Sequence, residues 1–146
     1  MPRRSRIAVV ALALLAVAVT FAATALGAAP KKVYVEGDVV SQVLVYRPHA
    51  IELAADGTFA LAGIKYTSYG GPAATATARA YVRGCTPNCA QGKVYRPSAT
   101  LRLEAQTQCQ GKTIYSKLRY KLVGPLPAEF RREGVEMLRP VGQKGC

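Results

Sequence analysis

Ala74-Thr-Ala-Thr-Ala-Arg-Ala-Tyr-Val-Arg83, running on into Gly84-Cys85-Thr-Pro-Asn-Cys89-Ala-Gln-Gly-Lys93, is the stretch on which the fold of this chain turns. In its first part Ala74, Ala76, Ala78, Ala80 and Val82 fall on one side, and Thr75, Thr77, Arg79, Tyr81 and Arg83 on the other. That period of two belongs to a strand with one buried face. The second part holds a proline, two glycines and two of the four cysteines, so it turns the chain back. Downstream, Ala99, Leu101 and Leu103 alternate with Ser98, Thr100, Arg102 and Glu104. A third run places Ile114, Ser116, Leu118, Tyr120 and Leu122 inward against Tyr115, Lys117, Arg119 and Lys121 outward. Alanines on the inner face call for bulky partners such as Phe59, Tyr66 or leucines. Pro97 cannot donate to a ladder, so its strand is an edge or carries a bulge there.

Upstream the pattern is the same but shorter. Val33-Tyr-Val35 and Val43-Leu-Val-Tyr46 are β-branched and aromatic, separated by the Glu36-Gly-Asp38 turn. Arg47-Pro-His49 breaks the run. Ile51 and Leu53 lead to Asp56-Gly57, a hairpin turn with Phe59 and Leu61 on its far side. Ile64 to Tyr69 forms a further strand that ends at Gly70-Gly-Pro72. After Leu122, Gly124-Pro-Leu-Pro127 stops the strand and Ala128 to Glu133 is long enough for one helical turn. Glu136-Met-Leu-Arg139 returns to the sheet edge. The fold class expected is all-β: a small antiparallel β-sandwich or flattened barrel with a short C-terminal helical turn.

Residues 1–27 stand apart. Arg3, Arg4 and Arg6 precede an Ala/Val/Leu-rich run ending in small residues, the layout of a secretory signal peptide and its helix. The run is also long enough to act as an uncleaved membrane anchor. Residues 31–146 are then a single exported β domain, secreted or associated with the cell envelope. Without the three signal arginines the basic count falls from 20 to 17 against 8 acids, a formal charge of +9. Such a domain favours anionic envelope polymers and acidic polysaccharide, with no specific nucleic acid implied. Lys and Arg on outward strand positions also keep a small sheet soluble and blunt its edges.

Four cysteines in an exported domain read as two disulfides with three possible pairings. In a consecutive meander, the turn after Arg83 and the turn near Gln106 to Lys112 lie at opposite ends of the sheet, about ten residues or ~33 Å apart. The pairing that remains is Cys85 with Cys89 and Cys109 with Cys146. A lone C-x3-C with one imidazole, His49, is not a metal-ligand spacing, so no metal or cofactor is expected.

Catalytic chemistry finds little support. Asp56 is explained by its turn and Glu104 by an outward strand position, which leaves Glu52 without a partner acid. His49 has no Gly-x-Ser-x-Gly nucleophile to serve. Rings and cations do share outward positions: Tyr69, Arg79, Tyr81, Arg83, Tyr95, Arg96, Tyr115, Lys117 and Arg119 would form a face able to stack on sugars and attract anions. Cross-strand Tyr and Arg pairs also stabilise any exposed sheet. The function expected is non-catalytic binding of anionic or carbohydrate polymer. The alternatives are a secreted hydrolase with an unrecognised acidic site and a protease inhibitor displaying the Cys85 to Cys89 ring.

The residues Asp56-Gly57, Ile64-Lys-Tyr-Thr-Ser-Tyr-Gly-Gly71, Cys85-Thr-Pro-Asn-Cys89-Ala-Gln-Gly92 and Gly124-Pro-Leu-Pro127 carry a likeness. Over residues 51–127 the chain resembles a group of uncharacterised exported proteins of high-GC actinobacteria with a Cys-x-Pro-x-Cys-Ala-x-Gly turn. The resemblance implies an exported β-rich domain and brings no activity with it.

Overall fold

A computed structural model describes residues 31–138 and residue 146; the expected signal segment lies outside the described residues. In chain order the strands are β1 (Val33–Glu36), β2 (Leu44–Tyr46), β3 (Ala50–Glu52), β4 (Phe59–Ser68), β5 (Ala74–Arg83), β6 (Val94–Tyr95), β7 (Ser98–Cys109), β8 (Lys112–Val123) and β9 (Glu133–Met137). They form one nine-stranded sheet in the order β2-β1-β8-β7-β5-β4-β3, with β6 added to β5 and β9 to β8.

The all-β expectation holds, and three of its details are corrected. Of the sandwich and the flattened barrel expected, the sandwich falls: the sheet is single and curled into a half-barrel. The reason lies on its inner face, where small and large residues alternate across the strands. Tyr66, Ala76, Leu101 and Tyr120 form one row, and Ala78, Ala99 and Leu122 part of the next. Small residues between large ones let adjacent strands bend toward each other. Phe59 then meets the Tyr120 and Phe130 rings edge-on, with centroids 5.1 and 4.9 Å away. A sheet that covers its own interior needs no second layer.

Second, the ladder is not wholly consecutive or antiparallel. β1 runs parallel to β8, with Val33 beside Thr113 and Tyr34 beside Ile114. β9 pairs antiparallel with the same edge of β8 further along. Third, there is no helix among the described residues. Ala128 and Glu129 form one hydrogen-bonded turn, closed by the Phe130 amide donating to the Pro127 carbonyl at 3.1 Å. The chain cannot continue as helix because Glu133 already pairs with Lys121 in the ladder. Leu126 and Phe130 pack against the core from this connection.

The margins of the curled sheet meet. The Glu52 amide donates to the Gly37 carbonyl at 3.0 Å, and Asp38 and Glu52 form an isolated parallel bridge. Residues 47–49 cross this seam from β2 to β3. Pro97 is buried and separates β6 from β7, both of which pair with β5, so the expected interruption is present.

The disulfides are Cys85–Cys89 and Cys109–Cys146, at opposite ends of the sheet as the spacing required. They fit an oxidising compartment. The Cys85–Cys89 turn is packed backbone to backbone: a Cβ on Gly92 would lie 1.5 Å from the Gly84 carbonyl oxygen. The Cys109–Cys146 bond joins residues 37 apart in sequence. Replacing both with alanine is expected to lower unfolding free energy by about 3–4 kcal/mol, measured by urea denaturation. A loss under about 1 kcal/mol would mean that the bond adds little beyond the contacts of the sheet.

Candidate functional site

β5 carries the expected face as its sequence dictates. Ala74, Ala76, Ala80 and Val82 are buried and Ala78 is half-buried, while Thr77, Arg79 and Tyr81 are exposed. Neighbouring strands continue the outer rows. Arg79 stands opposite Ser98, Thr77 opposite Thr100, and Thr75 opposite Arg102. Across β7 and β8, Arg102 faces Arg119, Thr100 faces Lys121 and Glu104 faces Lys117. On β4, Lys65 lies beside Thr77.

Charge on this face is only partly compensated. Glu104 Oε1 accepts from Arg119 Nε at 2.5 Å and Oε2 from Arg102 Nε at 3.0 Å. These two hydrogen bonds, the Arg119 one first, hold the Glu104 carboxyl below its ordinary pKa. Lys121 Nζ meets Glu133 at 2.8 Å. Lys65, Arg79 and Lys117 have no carboxylate within ion-pair distance among the described residues. The Arg96 guanidinium sits over the Tyr81 ring at 5.3 Å, and Arg79 donates to the Arg96 carbonyl at 3.2 Å. Arg83 instead donates to the Ala90 carbonyl and braces the disulfide turn.

Three of the expected ligand-facing rings lie elsewhere. Tyr95 pairs with inward-facing Val82 and packs against the core, with Lys93 Nζ 5.3 Å from its ring centre. Tyr115 is fully buried, although strict alternation from Tyr120 would put it outside. The cause is Ala105, whose φ of 57° interrupts the pleat where it faces Ser116. Ser116 Oγ donates to the Ala105 carbonyl at 2.6 Å, and beyond this point the pair presents the opposite face. Tyr115 thus joins the core and its hydroxyl donates to the Gly71 carbonyl at 2.6 Å.

Tyr69 is half-buried beside the seam. Its hydroxyl donates to the Val33 carbonyl at 2.8 Å and accepts from the Arg47 amide at 3.2 Å. Burial pushes its pKa up to about 12. Around it the Tyr46, Tyr66 and Tyr115 rings stand edge-on, with centroids 5.7, 4.7 and 5.7 Å away. Tyr34 extends the cluster through Tyr46 at 6.0 Å. The Arg47 guanidinium lies 5.6 Å from both the Tyr66 and Tyr69 ring centres.

A cleft of about 620 Å³ opens above this cluster, lined by Tyr46, Arg47, His49, Gly63, Ile64, Lys65 and Tyr66. A second, of about 470 Å³, lies on the outer face and shares Gly63 and Lys65 with the first; Thr77, Arg79, Ser98 and Thr100 line it further along. A third is lined by Arg102, Arg119, Lys121 and Glu133. Tyr46, Arg47 and Lys65 were missed as site residues from sequence. The signal was present in Tyr46-Arg-Pro-His49, a ring and two basic side chains at a proline break.

Two acids are raised above their ordinary pKa, Glu36 by burial and then by Asp38, and Glu136 by burial. Neither lines any of these three clefts. Comparison with family models, curated proteins and solved structures finds no match to the chain.

Tyr69→Phe removes the hydroxyl that joins Val33 to Arg47 and is expected to cost about 1–2 kcal/mol, read by urea denaturation; no change would make the hydroxyl dispensable. Glu36 has a folded pKa above its unfolded one, so its ionisation weakens the fold as pH rises from the ordinary carboxylate value through the raised one. Glu36→Gln is therefore expected to be more stable than the native chain at pH 7 and equal to it at low pH, where the carboxyl is neutral in both states. Equal thermal midpoints at pH 7 would show that its burial has no such cost.

Proposed function

We propose that this chain is a non-catalytic, exported or envelope-associated β domain that holds an anionic polysaccharide or other anionic envelope polymer against its outer face. The observation that carries this reading is the direct opposition of Arg102 and Arg119 on neighbouring strands, with Glu104 shared between them. Glu104 bridges the two and balances only one of the two guanidinium charges, so the trio keeps an excess of positive charge for an external anion. Cross-strand pairing explains Arg96 over Tyr81 and Lys121 with Glu133, but Lys65, Arg79 and Lys117 have no carboxylate partner among the described residues, and their charge is left to meet an external anion.

Between the cations lie Thr75, Thr77, Ser98 and Thr100, short hydroxyl residues that keep the surface flat and hydrogen-bond in either direction. Side chains on one face repeat at roughly 6.8 Å along a strand and 4.8 Å across strands. A repeating anionic chain can therefore touch several cations in one extended pose. The clefts on this face offer cations and hydroxyls rather than paired acids, which supports binding over hydrolysis. The inhibitor alternative has only the Cys85–Cys89 ring, whose three enclosed residues are too few to lie along several protease subsites.

Arg102→Ser combined with Arg119→Ser is expected to weaken retention on purified anionic wall polymer at least about tenfold in dilute buffer. Retention of the native chain should fall steeply as salt rises from about 0.05 to 0.5 M. Binding that persists in strong salt, or no binding in dilute buffer, would remove the reading.

A further inference from the structure

We infer that the cleft at the seam is a sugar-recognition subsite for a pyranose ring carrying a carboxylate, and that Lys65 joins it to the outer face as one furrow. This rests on the polymer-binding reading above and specifies which unit of the polymer is read.

The chemistry follows from three side chains. Tyr46 leaves 46% of its surface exposed although its ring is held edge-on by Tyr34 and Tyr69. A fixed, open aromatic face can receive the C–H face of a pyranose, and little freedom is lost on binding because the ring is already positioned. Arg47 is anchored against Tyr66 and Tyr69 and has no carboxylate partner among the described residues. A guanidinium held by rings still presents its planar fork of donors, which matches a carboxylate in bidentate fashion. Lys65 supplies a second cation to the lining, and exposed His49 adds a polar group.

The backbone is arranged around this opening. Arg47 has a φ of 49°, an uncommon conformation for a residue with a side chain and one disfavoured further by the following proline. The Tyr69 hydroxyl bonded to its amide and the Tyr66 hydroxyl bonded to the Pro48 carbonyl hold it there. Strained residues kept by such over-determined contacts gather at binding sites. On the facing strand the β4–β5 register shifts between Ala62 and Lys65, at Gly63. Gly63 lines both clefts, and a Cβ at that point would meet nothing within 4 Å.

A carboxylated sugar fits this combination better than a polyol phosphate, which has no flat ring to lie on Tyr46. A neutral sugar would leave Arg47 and Lys65 without a counter-charge.

The test is calorimetric titration of the full exported chain with tetragalacturonate, maltotetraose and poly(glycerol phosphate). Tetragalacturonate is expected to bind, and Arg47→Gln and Lys65→Gln are each expected to weaken it at least about tenfold. Both are changes at exposed residues that remove the charge and keep a polar side chain, and a native thermal midpoint checks that the variants fold. Maltotetraose or poly(glycerol phosphate) binding as tightly as tetragalacturonate would overturn the inference. So would no binding of tetragalacturonate, or native affinity in both variants. If tetragalacturonate fails while Arg102→Ser with Arg119→Ser still abolishes polymer retention, the subsite falls and the outer face stands.

Discussion

The structure depends on a match of sizes across its inner face. Ala76 sits between Tyr66 on one neighbour and Leu101 on the other, with Tyr120 one strand further. Ala80 lies beside Leu61, and Ala78 beside Ala99. Bulky side chains in every row would force the strands apart, and alanines in every row would leave a void; their alternation bends the sheet around a filled interior. Because it bends that far, β3 reaches the end of β1 and the sheet has a seam. Everything of functional interest is placed by that curvature: the cations on its convex side and the tyrosine cluster where the margins meet.

At the seam a buried polar arrangement takes over from apolar packing. Three carbonyls, those of Val33, Pro48 and Gly71, accept from tyrosine hydroxyls. Phenols suit this place because each buries a large ring and still reaches a backbone acceptor that the interrupted ladder leaves open. The same rings then position Arg47, so the element that closes the fold also fixes a cation at its surface. The outer face works on another principle, with exposed charges that contribute little to stability and remain available to a partner.

Much of this was legible from the residues. The alternation from Ala74 to Val82 and from Ser98 to Glu104, the Asp56-Gly57 turn and the pairing of the four cysteines all follow from local pattern and chain length. What failed did so where a distant contact overrode the pattern. Tyr115 turns inward because Ala105, on another strand, breaks the pleat opposite its neighbour. Tyr95 is drawn toward the core by Val82. The parallel meeting of β1 with β8 leaves no mark in either segment, since each reads as an ordinary half-buried strand. The expected helical turn gave way to ladder pairing at Glu133, and the seam cleft was hidden because it is shared between the short β2–β3 connection and the part of β4 where the register shifts.

The parallel contact between β1 and β8 has a bearing on how the molecule is made. Val33 is synthesised well before its neighbour Thr113, with the whole of β2 to β7 lying between them in the chain. Until that second segment arrives, β1 has its hairpin mate β2 and the seam contacts to Glu52 and Tyr69, but no ladder partner on its other edge. Closing so wide a span is slow in proportion to the sequence separation involved. The margin of β1 that faces β8 is therefore the part of the sheet left to be closed late, together with the contact of Tyr69 with Tyr115 on β8.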